Sequence, residues 1–248
     1  MPTSKENLRN RIIYGQNLIS FLNKDKGYYL DFDGTIKPKH DQPQRVIGFP
    51  WIFSGGGGKM RCPIWQTLHF GTFNMIPSYC LGDCWKVVII PKGVNDLLTV
   101  HQYLESFGFE SKAGLDMRPY TFGMYRGFIY CATKDEAKEK ENYLGTTLHQ
   151  IAEYSVYTKR GCTEYENKIA PSDQWKERPH QKNLETLLEA DVDQGISEIK
   201  EPHFKQPEWA KDLIRLHWVQ SAYASGDRSW KATPYADFIS KSISPIIY

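Results

Sequence analysis

The order of periodic segments between residues 85 and 159 constrains the fold of this chain more than any other feature. In chain order, the hydrophobic periodicity predicts a strand at 85–90, a helix at 93–108, strands at 109–117 and 125–132, a helix at 133–154 and a strand at 155–159. Gly108 is placed to end the first helix as a C-cap, and Thr133 is placed to start the second as an N-cap. The pattern therefore predicts an α+β fold, in which one antiparallel sheet is backed by two helices.

This βαββαβ order is the ferredoxin-like split βαβ unit, and the segments on either side of it carry weaker signals. Residues 1–84 contain one predicted amphipathic helix and a long irregular segment with a GGGG tract. Residues 167–248 are predicted to form helices and loops. We expect an N-terminal helix and irregular segment (1–84), the ferredoxin-like unit (85–166) and a C-terminal helical extension (167–248). Together they have the size of one compact domain.

The composition predicts a globular protein of the cytoplasm. Hydrophobic residues make up 40% and charged residues 24% of the 248 residues. The net charge of +2 argues against binding a polyanion through net charge alone, but it is compatible with a local basic patch. No apolar run approaches the roughly 20 residues of a membrane span, so no membrane partner is expected. Five cysteines without an export signal predict free thiols, and nothing in the sequence indicates an oligomeric state.

Three cysteines are predicted to meet at one edge of the sheet. Cys80 and Cys84 come immediately before the first strand of the unit, and Cys162 comes immediately after the fourth. Because these strands are neighbours about 4.8 Å apart in the ferredoxin-like arrangement, the start of one lies beside the end of the other. Cys62 or His69 would add a fourth ligand. The thiols predict a zinc ion, an iron–sulfur cluster or a reversible thiol pair, and the alternative is a set of ordinary cysteines.

Charged residues are predicted around the same edge. The candidates for binding a substrate are Arg118, Arg126, Arg160 and Glu164, which fall at strand ends or in adjoining turns. Guanidinium groups beside carboxylates suit a phosphate-bearing small molecule such as a nucleotide, and they are equally typical of a solvated rim. The leading interpretation is an enzyme with a metal or redox site that acts on such a substrate. The sequence identifies no catalytic residue for it and leaves open whether the protein is an enzyme.

A second stretch indicates a different class of function. Residues 126–139, RGFIYCATKDEAKE, resemble the RNP1 strand and the following helix of RNA-recognition motifs. The residues that match the motif are Arg126, Gly127, Phe128 and Tyr130. The stretch departs from the motif at Ile129 and Thr133, and the strand at 85–90 lacks the ring that would stack a second base. The resemblance implies a module that binds RNA or another single strand on its sheet.

A third stretch, YYLDFDGTIKPKH at residues 28–40, indicates a third class of function. A hydrophobic run that ends in Asp31, Asp33 and a Gly-Thr turn resembles the nucleophile strand of haloacid-dehalogenase-type phosphatases. The resemblance implies Asp31 as the nucleophile, Asp33 as the acid/base and Mg²⁺ as the cofactor. Too few strands are predicted after residue 166 to complete the parallel sheet of that family. A strand that runs into an Asp/Gly turn is therefore the competing interpretation.

Overall fold

The computed structural model divides the chain into two compact units. The described residues are 28–30, 36–38, 50–55, 75–179, 181–183, 185–186 and 206–242. The first unit comprises residues 1–42, 59–82 and 162–202, and the second comprises residues 43–58, 83–161 and 203–248. The predicted three-part division of the chain stays a prediction.

The secondary structure of the described residues combines strands with helices. The strands are β1 (Tyr28–Leu30), β2 (Ile36–Pro38), β3 (Trp51–Ser54), β4 (Trp85–Pro91), β5 (Ser111–Leu115), β6 (Tyr125–Cys131) and β7 (Tyr154–Arg160). The α-helices are α1 (Ser78–Gly82), α2 (Val94–Ser106), α3 (Lys134–Thr147), α4 (Thr163–Lys168), α5 (Glu208–Ser225) and α6 (Ala236–Ser242). Short 3-10 helices occur at Leu148–Gln150, Ser172–Gln174 and Arg228–Ala232. None of the helices in these stretches is long and apolar enough to cross a membrane.

The second unit contains a five-stranded antiparallel sheet in the order β3-β5-β6-β4-β7. Strand β4 pairs with β6 on one side and with β7 on the other, where Trp85 lies opposite Arg160. The predicted α+β fold with an antiparallel sheet is confirmed. Strand β3 lies in the segment that the sequence predicts to be irregular, and that part of the prediction is wrong. Its four residues are too few for a periodic signal, and it forms by pairing with the distant β5.

Helices α2 and α3 pack on one face of this sheet. Val87 and Ile89 of β4 and Ile129 of β6 form a buried cluster with apolar side chains of both helices. The helix residues of this cluster include Val100, Leu104, Ala137 and Leu144. Burying a Val, Leu or Ile side chain fully contributes about 1.5–3 kcal/mol relative to leaving it exposed. Because most of β4 is buried on both faces, its sequence is an almost continuous apolar run.

Local capping residues and one contact with a distant residue stabilise the helix ends of the second unit. The Thr133 hydroxyl accepts a hydrogen bond from the Glu136 amide at 3.1 Å, and the Glu136 carboxylate accepts one from the Ala132 amide at 2.8 Å. The predicted N-cap of α3 is therefore confirmed. Gly108 follows α2 with a φ of +65°, the left-handed conformation expected of a glycine after a helix. At the other end of α2, the first amide donates to Asp227 Oδ2 at 2.9 Å.

The C-terminal part of the second unit covers the edge of the sheet at β3. Trp218 of α5 is buried in the core, and its indole Nε1 donates to the Pro50 carbonyl oxygen at 2.8 Å. The side-chain amide of Gln206 pairs with β3 as a neighbouring strand would. Its Oε1 accepts from the Phe53 amide at 2.8 Å, and its Nε2 donates to the Trp51 carbonyl oxygen at 2.8 Å. Gln206 thus occupies hydrogen-bonding groups that an edge strand otherwise presents to other chains.

The first unit contains the antiparallel β1–β2 pair and helix α1. The amide of Ser78, at the start of α1, donates to Glu185 Oε1 at 2.8 Å, and Gln181 Nε2 donates to the same oxygen at 2.8 Å. The carboxylate therefore binds an amide at the N-terminus of the short helix that carries Cys80.

Candidate nucleic-acid interface

The face of the five-stranded sheet opposite α2 and α3 carries basic and aromatic side chains, and we call it the basic–aromatic face. Its cations are Lys86, Lys112, Arg126 and Lys159, and its rings are Trp51, Phe53, Phe128, Tyr130 and Tyr157. Side chains alternate between faces along a strand, and cross-strand partners share a face. Phe128 of β6 pairs with Val88 of β4 and Lys112 of β5, whereas the adjacent Val87 and Ile129 belong to the core beneath the helices.

The register of the strands sets cations beside rings on this face. Lys86 of β4 lies opposite Tyr130 of β6 on one side and opposite Lys159 of β7 on the other. Lys112 of β5 lies opposite Phe53 of the edge strand β3. All five strands of the sheet therefore contribute cations or rings to this face.

The charges of the five strands are all positive and are concentrated on this face. The cations of these strands are Lys86, Lys112, Arg126, Lys159 and Arg160, and the same five strands contain no Asp or Glu. Four of the five cations lie on the basic–aromatic face. Arg160 lies on the other face, because it follows Lys159 in β7 and pairs with Trp85 of β4. A sheet face with this composition has the charge expected of a surface that binds a polyanion.

Three of the four cations are buried, namely Lys86, Arg126 and Lys159. The Arg126 guanidinium donates from Nη1 to the Tyr125 carbonyl oxygen at 2.8 Å and from Nη2 to the Phe122 carbonyl oxygen. Burial lowers the pKa of Arg126, and the negative charge of Asp116 opposes this effect. The Arg126 guanidinium is therefore bound within the chain, and Lys112 is the one cation of this face whose side chain is only half-buried.

The rings form a platform around Lys112. The Lys112 Nζ lies 4.3 Å from the centroid of the Trp51 ring and 5.3 Å from that of Phe128, and the two ring centroids are 5.7 Å apart. The Lys86 Nζ lies 5.5 Å from the centroid of the Tyr130 ring. Phe128 is only 6% exposed, whereas Tyr157 is 44% exposed. Trp51, Phe53 and Tyr130 are half-buried, so four rings of this face retain exposed surface.

The predicted substrate-binding residues fall at different places. Arg118 lies in the loop between β5 and β6, where its Nε donates to Asp116 Oδ1 at 2.7 Å. Burial alone would raise the pKa of Asp116, but the hydrogen bonds and charge of Arg118 hold it below its usual value. Arg126 belongs to the basic–aromatic face, and Arg160 lies near the other end of the sheet, opposite Trp85. Glu164 is half-buried in α4 of the first unit.

Three of the five predicted metal ligands lie in the described residues. Cys80 is buried in α1, Cys84 is buried immediately before β4, and Cys162 is the half-buried N-cap of α4. The predicted ligands Cys62 and His69 lie outside the described residues. In the described parts of the chain, no group of three or more His, Cys, Asp or Glu side chains is arranged to hold a metal ion. The zinc, iron–sulfur or redox site therefore stays a prediction.

The remaining cysteine, Cys131, belongs to the hydrophobic core of the second unit. Cys131 is buried in β6 among the residues that pack under α2 and α3. Burial raises the pKa of its thiol to about 11, so it is protonated near neutral pH. Cys131 is a core residue.

The predicted phosphatase residues Asp31 and Asp33 also lie outside the described residues. The strand before them, β1, pairs antiparallel with β2, and β4 pairs antiparallel with both of its neighbours. The parallel sheet that the phosphatase resemblance implies is not formed by the strands that the structure describes. Phosphatase activity stays a prediction without structural support.

No protein-family model, no curated protein and no solved structure matches this chain. Its function is therefore inferred from the residues themselves. The resemblance to the RNP1 strand identifies Arg126, Phe128 and Tyr130, but sequence reasoning misses Trp51, Lys112 and Tyr157. Strand alternation in 109–117 and 155–159 was a signal that could have found the last two.

Proposed function

We propose that the second unit is a single-stranded nucleic-acid-binding module that uses its basic–aromatic face. The strand order supports a ferredoxin-like fold of the kind found in RNA-recognition motifs. Reading from β7 to β5, the four strands of the predicted βαββαβ unit lie in the order fourth, first, third, second. Strand β3 extends this sheet beside β5.

The observation that carries the proposal is the composition of one face. Four cations and five rings from the five strands lie together, and those strands contain no carboxylate. Lysine and arginine neutralise phosphates, and aromatic rings stack on bases of any sequence. Arg126, Phe128 and Tyr130 of the RNP1-like stretch all lie on this face, and Tyr130 is the one of the three that is not buried.

The two kinds of side chain have different expected roles. Tyr157 is the most exposed ring of the face, so it is the best candidate for stacking on a base. Phe128 is buried, and we assign it a supporting role beneath Lys112. Lys86 stands on the strand that lacks the expected second ring, and it is buried with its Nζ 5.5 Å from the centroid of the Tyr130 ring, so we assign it a supporting role as well.

The charge pattern predicts the salt dependence of binding. Lys112 is the one cation of this face that is not buried. If it neutralises one phosphate of a single strand, the logarithm of the association constant should fall with the logarithm of salt concentration with a slope of about −0.7. Each stacked base should add about 1–3 kcal/mol.

The test is fluorescence anisotropy with labelled RNA and DNA oligonucleotides of about 12 nucleotides, a length within the usual range of single-strand sites. Tyr157→Ala should lose about 1–3 kcal/mol of binding free energy. The matched control is Tyr143→Ala, because Tyr143 is 40% exposed, close to the 44% of Tyr157, and lies on α3 at the opposite face of the sheet. Equal affinities of the two variants would contradict the assignment of the face.

A second pair of variants tests the electrostatic part. Lys112→Ala should reduce the steepness of the salt dependence by about 0.7, whereas Lys138→Ala on α3 should leave it unchanged. Competition with a mononucleotide separates strand binding from binding of a small substrate. A mononucleotide that competes as well as the unlabelled strand would refute strand recognition and would favour the nucleotide-binding interpretation.

A further inference from the structure

The two edges of the five-stranded sheet are finished differently. At the β3 edge, the side chain of Gln206 binds the Phe53 amide and the Trp51 carbonyl oxygen, each at 2.8 Å. The other edge is β7, which pairs with β4 alone among the described strands. An edge strand presents a row of N–H and C=O groups, and the complement of such a row is another extended strand.

The hydrogen bonds at the two ends of the β4–β7 ladder show which groups of β7 point outward. The Lys92 amide donates to the Glu153 carbonyl oxygen at 3.0 Å, and the Gly161 amide donates to the Cys84 carbonyl oxygen at 2.8 Å. Both pairs continue the register of β4 with β7. Because antiparallel partners alternate between hydrogen-bonded and non-hydrogen-bonded pairs, the odd-numbered residues of β7 bind β4. The backbone groups that point away from β4 belong to Tyr154, Val156, Thr158 and Arg160.

The outward backbone groups at the centre of β7 are unoccupied. In the described parts of the chain, no group donates to or accepts from the outward N–H and C=O of Tyr154 and Val156. At the Thr158 end, Glu141 of α3 accepts a hydrogen bond from the Thr158 hydroxyl, and its carboxylate also interacts with the Thr158 backbone amide. The groups open to a further strand are therefore both groups of Tyr154 and Val156 and the carbonyl oxygen of Thr158.

Residues 154–158, YSVYT, lack the features that usually protect an edge strand. They contain no charged residue and no proline, and their register with β4 runs without a bulge. Ser155 and Tyr157 are exposed, so the strand is accessible. Tyrosine, valine and threonine also favour extended structure. The chain thus occupies the edge at β3 and leaves the centre of β7 able to pair.

We infer that β7 pairs antiparallel with β7 of a second copy of this chain, about a two-fold axis through Val156. Each Val156 amide donates to the Val156 carbonyl oxygen of the other copy, and each Tyr154 amide donates to the Thr158 carbonyl oxygen of the other copy. These bonds use the unoccupied groups and leave Glu141 at the Thr158 amide. Pairing at this edge is independent of the ligand that the basic–aromatic face binds.

The side chains beside the axis favour a second copy in the antiparallel direction. Val156 packs at the rim of the core under α2 and α3, and across the axis it meets the same apolar side chain. The next charges along the chain, Glu153 and Lys159, have opposite signs and lie opposite each other in this register. The contact of Glu153 with Lys92 is fully solvated, with both side chains 71% exposed, so it competes weakly. A parallel pairing would instead bring like charges together.

The first test is the mass of the full chain by sedimentation velocity over a series of micromolar concentrations. The wild-type chain should form a dimer, and Val156→Pro should be monomeric, because proline lacks the outward N–H. The amides that bind β4 belong to the residues on either side, so the ladder within the chain is kept. Val156→Ala is the matched control, since it shortens the same side chain but keeps the amide, and it should still dimerise. Urea unfolding checks that both variants fold.

A cysteine cross-link tests the register without removing a hydrogen bond. Hydrogen-bonded antiparallel partners have Cα atoms about 5.5 Å apart, which is within the range that a disulfide spans. Val156→Cys should therefore give a disulfide-linked dimer on oxidation with diamide, beyond the level of the wild-type chain. Ser155→Cys is the matched control, because the two copies of this position are offset along the strands and lie too far apart to be bridged.

Four results would overturn the inference. A wild-type chain that stays monomeric at every concentration would refute the second copy as the occupant of the edge. A folded Val156→Pro variant that still dimerises would assign the association to another surface. Cross-linking through Ser155→Cys but not through Val156→Cys would refute the register. A monomeric chain that binds an unrelated extended peptide, with binding lost in Val156→Pro, would assign the edge to a strand of another protein.

Discussion

Acidification should weaken the second unit through His101, a histidine buried between α2 and α5. Its Nε2 lies 3.1 Å from Nη2 of Arg215, and its ring packs edge-on against Trp218. A neutral imidazole accepts a hydrogen bond from the guanidinium, whereas a protonated one would place two cations in contact. Glu105 Oε2, 3.7 Å from the same nitrogen, offsets only part of this effect, since Glu105 also pairs with Lys211.

The magnitude follows from the shift in pKa. Burial, with the charge of Arg215, lowers the pKa of His101 from 6.5 to about 4. A group whose pKa is lower in the folded state stabilises the fold above its unfolded pKa, and that stability is lost as the pH falls. As the pH falls from the unfolded pKa to the folded pKa, the free energy of unfolding should fall by about 3 kcal/mol, because each unit of pKa difference corresponds to about 1.36 kcal/mol.

The assay is urea unfolding at about pH 7 and at about pH 4. His101→Gln removes the titration while keeping a polar side chain, so carboxylates and other histidines titrate alike in both proteins. On acidification, the free energy of unfolding of the wild-type chain should fall by about 3 kcal/mol more than that of the variant. An identical pH dependence of the two free energies of unfolding would refute the reasoning.

Two further predictions concern the edge of the sheet and the thiols. Gln206→Ala removes both hydrogen bonds to β3, so it should lower the free energy of unfolding by about 1–3 kcal/mol in urea titrations. Gln206→Glu should also destabilise, because a carboxylate cannot donate to the Trp51 carbonyl oxygen. If the thiols bind metal, Cys84→Ser should lower the zinc or iron content by elemental analysis, whereas Cys131→Ser should not. Anaerobically purified wild-type chain without either metal would contradict the thiol prediction.

Local sequence determined the elements between residues 85 and 160 and the faces of single strands. The periodicity of 93–108 and 133–154 predicts two helices, and Thr133 starts the second because its hydroxyl needs only an amide three residues later. The alternation of Arg126, Phe128 and Tyr130 predicts that they share a face, because successive side chains of a strand point in opposite directions. Such properties depend on neighbours in the chain, and they can be read from one stretch.

Only the tertiary structure decided which strands and side chains meet. Strand β3 has only four residues, and it pairs with β5 and with Gln206, which is 153 residues from Phe53. Neither pairing can be predicted from the sequence of the strand itself. Lys112 and Trp51 come together because two separate strands adopt one register, and no periodicity within either strand encodes that register. The basic–aromatic face is therefore a property of strand order. Its residues are separated by many positions, and their proximity depends on packing of the whole unit.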